Sequence, residues 1–402
     1  MTRYSPLTLT ATTIFLLALN MRVPTTSLGP LLPRIQADTG HGEGCLSLLT
    51  AIPLALTLVI APLTPPLTRR FGRDAVVSAL LIAILAGIII RSIPGDVPLL
   101  GGTAVLGIAI ALGTVLMPAV IAGQPRQQRT TLTSVFSVAL SLGPALALGL
   151  TMPLHRLTGS TWGVTLMIWS MLTLLALLAW VLHLCRQPEE PEAGAAEPNG
   201  CQGPAAESES ALPAPHRDAR VWELAVYLGI TSLTFYTTST WLPTTLVAGG
   251  LSAQSAGSLT SLINLVAIPF SLLAPVLMER APASLTAPLA PLIAVAGVVV
   301  LVIAGPGCGL AATALLGVSQ GLCLGVSYGQ VVRFSHSAQH TASVSALTSA
   351  VGIALAAAGP LAFGLGLEHA ASWTVPVMGL GAMLLVQTAV GVRSGRSVSA
   401  GA

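Results

Sequence analysis

Residues 188–210 read PEEPEAGAAEPNGCQGPAAESES, the long polar stretch of an otherwise apolar chain. Rich in Pro, Gly, Ala, Ser and Glu, it cannot bury a core, so 185–220 is expected to be a flexible tether. The sequence on either side has the opposite character. Of the 402 residues 53% are apolar and 8% charged, and the mean hydropathy of +0.83 is too high for a water-soluble protein of this length. Stretches of about 20 apolar residues, each long enough to cross the hydrocarbon core, recur at 8–31, 45–67, 75–92, 98–122, 130–153, 161–184, 221–246, 255–278, 284–304, 308–332, 341–365 and 372–392. The tether therefore has six predicted spans before it and six after it. Gly305, Pro306 and Gly307 alone divide the ninth from the tenth.

The two sets of spans match at a constant offset of 210 residues. Leu32-Pro33 pairs with Leu242-Pro243, Gly40 with Gly250, Leu49-Thr50 with Leu259-Thr260, Pro65 with Pro275, Leu67 with Leu277, Arg70 with Arg280 and Gly107 with Gly317. One ungapped register across three helices implies a duplicated unit. The expected organisation is an all-α membrane protein: a six-helix bundle at 1–184, the tether at 185–220 and a second six-helix bundle at 221–402. A substrate site should lie between the halves near the midplane.

The arginines set the orientation. With the N-terminus inside, cytoplasmic segments hold Arg3, Arg69, Arg70, Arg73, Arg126, Arg129, Arg186, Arg217, Arg220, Arg280, Arg333, Arg393 and Arg396, against Arg34, Arg91 and Arg156 outside. Both termini of this multi-pass cell-membrane protein are therefore expected to be cytoplasmic. Arg91, ending the third span, is expected to snorkel to the outer interface.

Several classes are disfavoured by what the chain lacks. All seventeen basic residues are Arg, and no like-charge run suggests a nucleic-acid surface. The five cysteines have no metal-ligand spacing, and the histidines fall at span ends and in loops. An intramembrane enzyme needs a nucleophile, acid pair or metal cluster at mid-depth, and none is visible. A sensor would carry an appended signalling domain for which neither terminus has room. The first segment is long, contains Asn20 and Arg22 and has no clear cleavage site, so it is expected to be a retained helix rather than a signal peptide. No cofactor and no metal are expected. The expected partners are a small-molecule substrate and the lipid bilayer, and the chain is expected to act as a monomer.

Arg22 is the charge deepest inside a span. A guanidinium at the centre of a bilayer helix costs roughly 2.5–3.5 kcal/mol on insertion scales and normally faces a cavity or a partner. Pro24 removes a backbone donor and displaces the carbonyl of Asn20, predicting a kink within a turn of Arg22. Helical spacing places Arg22, Thr25 or Thr26, and Gly29 on one face. A five-donor fork beside hydroxyls suits a small anion or a neutral ligand with nitro or carbonyl oxygens; the alternative is an arginine that caps freed carbonyls and holds the kink. The offset maps Arg22 onto Ser232 and Thr26 onto Tyr236, so the charge comes from one half and neutral groups from the other. Ser232, Tyr236 and Thr240 form a stripe beside Phe235 and Trp241, and in the tenth span Gln320 and Ser327 share a face, with Tyr328 adjacent. These groups either touch substrate or only bond to neighbouring helices. No Asp or Glu lies within a predicted span: Glu223 starts the seventh and Glu368 falls in the last outside loop. A proton-driven mechanism based on a buried carboxylate lacks its group, and no nucleotide-binding loop is present.

Twelve spans in two halves, with the basic loop PPLTRRFGRD at 65–74, resemble the major facilitator superfamily. Leu67, Arg70, Gly72 and Arg73 match that family's loop signature, whereas Pro65 replaces its first Gly, Arg69 its Asp and Asp74 its final base. The resemblance implies a conformational latch at Arg70, Gly72 and Arg73, with Glu279 and Arg280 as its repeat counterpart; the residues alone read equally well as a solvated loop. ALNMRVPTTSLGPLLPRI (18–35), LGIAIALGTVLMPAVI (106–121), FYTTSTWLPTTLVAGGLSAQSAG (235–257) and Ala358-Gly359-Pro360 are similar to the cyanate and nitroimidazole transporter family (CynX/NimT). Asn20, Arg22, Pro24, Thr26, Ser27, Gly29 and Pro30 carry the most specific part of that likeness. It implies a secondary transporter moving a cyanate-like anion or nitroimidazole-like compound by alternating access, with Arg22 as anchor among Asn20, Thr25, Thr26, Thr114, Ser232, Tyr236, Thr240, Gln320 and Ser327. Thr114, Thr231, Ser349 and Ile353 depart from the family's usual Asn, Gln, Gln and Tyr, which makes a changed substrate plausible. The alternative is a drug-type exporter of lipophilic compounds, against which Arg22 counts because it repels cations.

Overall fold

The computed structural model describes residues 6–159, 161–185, 217–334, 338–370 and 372–399. Most of the expected tether, 186–216, lies outside the described residues, as do Arg3 and Arg186. Within them the regular structure is entirely helical.

Three of the predicted spans are broken helices. The first is α1 (Pro6–Thr26), a 3₁₀ turn at Gly29–Leu31 and α2 (Leu32–Thr39). The second is α3 (Glu43–Ile60), a 3₁₀ turn at Ala61–Leu63 and α4 (Thr64–Phe71). After α5 (Arg73–Arg91), α6 (Asp96–Ala122) and α7 (Arg126–Thr158) comes the third, α8 (Trp162–Ile168) with α9 (Ser170–Leu184). The second half is α10 (Ala219–Ala248), α11 (Ala253–Arg280), α12 (Ala283–Ala304), α13 (Gly309–Phe334), α14 (Ala338–His369) and α15 (Thr374–Ser399). Pro30 and Pro62 stand in the first two breaks, where a missing N–H costs least. Gly40 ends α2 at φ 73° and sends its N–H to the Gln36 carbonyl, a left-handed cap that a side chain would strain. Asp218 and Ser252 cap α10 and α11 by accepting from Arg220 N and Ser255 N. The division at 305–307 is present as a second left-handed glycine, Gly305, and a 3₁₀ turn.

The repeat extends to packing. α3 and α11, like α5 and α12, begin 210 residues apart. α1 packs on α7 as α10 does on α14, α3 on α6 as α11 does on α13, and α5 on α9 as α12 does on α15. Across the two halves α3 meets α14 and α7 meets α11, the same exchange seen from either side. A glycine ladder makes the tightest of these contacts. Gly317, Gly321, Gly325 and Gly329 turn one face of α13 onto α11, where added Cβ atoms would overlap Ala267 O, Ala274 Cβ and neighbouring atoms.

Among the described residues ten helices are long and apolar enough to cross a membrane by length and composition. The other two spans of the twelve are led by α1 and α10, the first helix of each half, and the reason is visible. They carry hydroxyls and amides that the fold turns inward: Thr13, Asn20 and Thr26 on α1, and Thr231, Thr234, Thr237, Thr238, Ser239, Thr240 and Thr245 on α10, are all buried.

Two sequence expectations need correction. Arg91 does not snorkel; it is 1% exposed, and its Nε and Nη2 have no hydrogen-bond partner among the described residues. Gly102 of α6 lies directly against its backbone, and Gly163 of α8 sits on Ser92 O. These glycines close neighbouring helices over a position that looks terminal in a hydropathy profile. Glu368 is not in a loop, because α14 runs to His369 and carries the acid in its last turn.

Candidate substrate site

Arg22 lies four residues before the end of α1 at Thr26, just ahead of the break. Its neighbours splay: Met21 packs on Gly113 of α6, while the Arg22 stem passes Gly143 of α7, where an added Cβ would come within 3.1 Å of Arg22 Cβ. Thr25 and Thr26 both donate to the Arg22 carbonyl at 2.9 Å, so the loosened end of the helix is satisfied locally. The guanidinium is left free to reach the other half. There Nη1 donates to the Tyr236 hydroxyl of α10, with the guanidinium carbon 5.3 Å from the Phe235 ring centroid and 5.5 Å from that of Tyr236. These are cation–π distances. Phe235 and Tyr236 meet edge to face, with centroids 4.9 Å apart. Among the described residues Arg22 has no ion pair and no other hydrogen bond, so four of its five N–H groups and the phenol hydrogen of Tyr236 remain to be used.

Of the other candidates, Tyr328 comes within reach of this pair, and three more are placed by neighbours of their own. Tyr328 of α13 is 54% exposed and within electrostatic reach of both Arg22 and Tyr236. Thr114 is exposed beside Gly113, and Ser232 and Gln320 are half-buried. Ser232 Oγ lies 3.7 Å from where a Cβ on Gly352 of α14 would stand, and Gln320 Nε2 approaches the Thr231 carbonyl at 3.5 Å.

The remaining candidates are placed elsewhere. Asn20 is fully buried, donating to Leu16 O at 2.8 Å and Leu172 O at 3.3 Å and accepting from Thr173 at 2.5 Å. Thr26 is buried, Thr240 donates to Thr50 across the halves at 3.1 Å, and Ser327 donates to Cys323 O at 2.6 Å. Trp241 is buried and donates to Pro360 O at 3.0 Å. Gly29 lies against Ser239 O and Thr240 O of α10, so it belongs to the seam between the halves rather than to a ligand cradle. That seam continues through Ser261 to Ala145 O, Ser47 to Pro360 O, and Arg156 to Gln254.

With this geometry in hand, comparison with known proteins is decisive at the level of family: the model described as Major Facilitator Superfamily matches residues 10–360. The chain belongs to the major facilitator superfamily. It is 31% identical over 388 residues to the 2-nitroimidazole transporter of Escherichia coli (strain K12), covering 95% of this chain and 94% of that one. It is 30% identical over 275 residues to the cyanate transport protein CynX of the same organism, covering 66% of each. A bacterial homologue of the human lysosomal transporter Spinster, solved in an inward-facing, unoccupied conformation, shares the fold with a TM-score of 0.77 at 16% identity, covering 98% of each chain. This major facilitator protein is thus a multi-pass membrane transporter, in agreement with the resemblance carried by residues 18–35 and 235–257.

In this superfamily member the expected loop between the second and third spans is helical except at Gly72, which joins α4 to α5 at φ 80°; Arg70 and Arg73 on either side are exposed, with Arg70 over the Phe71 ring at 5.3 Å. Glu279 and Arg280 are likewise exposed, and this end of α11 is held by Arg333 donating to Met278 O at 2.7 Å. Reading by helical spacing put Ser327 beside Gln320 and left Tyr328 out of the site. The glycine ladder carried the missing signal: Gln320, Leu324 and Tyr328 each precede one of its rungs and form the flank next to it. The use of Gly143 as a passage for the Arg22 stem carries no such sequence signal.

Proposed function

We propose that this transporter moves a small solute bearing oxyanion or nitro oxygens, of the cyanate or nitroimidazole class, with Arg22 as its anchor. The observation that carries this reading is an uncompensated, half-buried guanidinium that bridges the two halves through a single hydroxyl. A fixed charge with unused donors attracts anions and nitro oxygens, and its planar fork pairs with them bidentately. Tyr236, Phe235 and Tyr328 supply phenol and ring surface from the opposite half, and Thr114, Ser232 and Gln320 supply neutral hydrogen-bonding groups. The names of the two Escherichia coli relatives point to the same solute class. A lipophilic-cation exporter would have to hold its cargo beside an unpaired cation, so that reading is second.

The two bundles move against each other by alternating access, and each acts as a unit. The form described here is sealed at the ends bearing residues 29–50 and 240–261, and is accessible from the opposite end, where Thr114 and Tyr328 are exposed. With both termini cytoplasmic, as the arginine distribution supports, this is the inward-open form of a monomeric carrier in the cell membrane.

The test is flux of cyanate and 2-nitroimidazole into vesicles reconstituted with wild type, Arg22→Gln or Arg22→Lys. Arg22→Gln is expected to lose transport, and Arg22→Lys to retain a fraction because it keeps the charge without the fork. Transport by a folded Arg22→Gln protein at the wild-type rate would show that Arg22 is not the anchor.

A further inference from the structure

Gly42 caps the N-terminus of α3 and brings no side chain to it, so the first-turn N–H groups of that helix need acceptors from elsewhere. One acceptor comes from the other half of the molecule. The Glu368 carboxylate, in the last turn of α14, accepts a 3.0 Å hydrogen bond from Gly44 N. The seat is shaped by glycine: a Cβ on Gly42 would stand 2.5 Å from Glu368 Oε1, and one on Gly44 2.6 Å from Oε2. Neither position could carry a side chain with the carboxylate in place.

The same stripe of α14 continues inward one turn at a time. Gly364 lies against Ser47 and the Glu43 carbonyl, and Pro360 O accepts from Ser47 Oγ at 3.0 Å and from Trp241 Nε1 at 3.0 Å. Residues 360, 364 and 368 are therefore three rungs of one contact with α3, and Glu368 is the outermost. Its charge suits its place, because a helix N-terminus carries partial positive charge. The acid on α3 itself, Glu43, is turned to Gln36 Nε2 at 3.0 Å, and His41 is engaged by Asp96 at 2.7 Å. The cap on α3 is thus supplied in trans.

We propose that Glu368 is a positioning residue for transport: its carboxylate holds the outer ends of α3 and α14 together in the form described here and must leave the helix end whenever the halves part there. This rests on the alternating-access reading. A cap that forms in one state and breaks in the other sets the balance between them by the free energy of that one contact. Loss of a charge from a helix end shifts such a balance roughly 2- to 5-fold, and loss of the hydrogen bond as well shifts it about 10-fold.

The experiment is double electron–electron resonance on full-length protein with its five cysteines replaced by serine. One spin-label pair, Asp38→Cys with Ser372→Cys, reports the sealed end; another, Asp74→Cys with Ser284→Cys, reports the opposite end. Glu368→Ala and Glu368→Gln are compared with the parent, each with and without 2-nitroimidazole. The expected result is a longer distance at the sealed end and a shorter one at the opposite end, larger in Glu368→Ala than in Glu368→Gln, whose amide oxygen still accepts from Gly44 N. Should Glu368→Gln match the parent, the charge is not what holds the seam. Distances unchanged by both substitutions, in a parent that itself populates two distances at each end, overturn the cap and leave alternating access standing. A single distance at each end in every variant, with or without 2-nitroimidazole, overturns both.

Discussion

Removing the Tyr236 hydroxyl tests whether the two halves build one binding site. In the structure Arg22 Nη1 donates to that hydroxyl, whose own hydrogen is free among the described residues. An oxygen of the solute can therefore accept from the guanidinium and the phenol at once. Hydrogen bonds to a charged group contribute about 1.5–3 kcal/mol, and neutral ones about 0.5–1.5 kcal/mol. Arg22→Gln should then weaken binding of 2-nitroimidazole or cyanate roughly 10- to 150-fold, and Tyr236→Phe roughly 2- to 12-fold. Both side chains are half-buried, so solvent screening favours the lower part of each range. Because Tyr236 acts partly by orienting Arg22, the double variant should bind hardly more weakly than Arg22→Gln alone, leaving a coupling energy of about 0.5–1.5 kcal/mol. Isothermal titration calorimetry of the four purified proteins closes the cycle. Strictly additive losses would refute a shared site, and tighter binding by Tyr236→Phe would mean that the phenol competes with solute for the guanidinium.

Three further outcomes are expected. Gly29→Ala places a methyl group on the Ser239 carbonyl and should cost about 1–3 kcal/mol, seen as a lower thermal midpoint than that of Gly101→Ala, a helical position with open space around it. Arg91→Met removes a buried cation with unpartnered nitrogens; since apolar replacements of buried ions are often stabilising by 1–4 kcal/mol, its thermal midpoint should rise by a few degrees. Asn20→Leu breaks three buried hydrogen bonds and should lower stability by about 2–4 kcal/mol while the 2-nitroimidazole dissociation constant of the folded fraction stays at its wild-type value; a selective loss of affinity would return Asn20 to the substrate group.

The fold was legible because its signals are long-range and redundant. Twelve apolar stretches and a repeat held in register from Leu32 to Gly317 survive uncertainty at any single residue. Within the candidate site Arg22 stood out because intramembrane charge is rare, and the repeat register pointed to Ser232 and Tyr236 as its counterparts in the other half. The site was obscure wherever hydroxyls were involved. Thr25, Thr26 and Ser327 turn back on carbonyls of their own helices, Arg22 O and Cys323 O, as hydroxyls in helices can do anywhere, whereas the bond of Thr240 to Thr50 depends on which neighbour packs where. Asn20 was obscure for the same reason, since its partners Leu172 and Thr173 lie some 150 residues away. Arg91 and Glu368 were misplaced because hydropathy marks where lipid ends, not where a helix ends or what closes over it.

The inward-turned polarity of α1 and α10 bears on how the protein is made. A segment carrying Asn20 and Arg22 enters the bilayer reluctantly by itself, at roughly 2.5–3.5 kcal/mol for the arginine alone. The groups that satisfy Asn20 lie on α9, the passage for the Arg22 stem is on α7, and the phenol that accepts from the guanidinium is on α10. α1, made before its partners, thus becomes comfortable in the membrane only after the sixth span has been synthesised, and its charge finds its partner only with the seventh. Insertion of α1 is a commitment completed late, and a substitution that removes the Thr173 hydroxyl should act on biogenesis before it acts on transport.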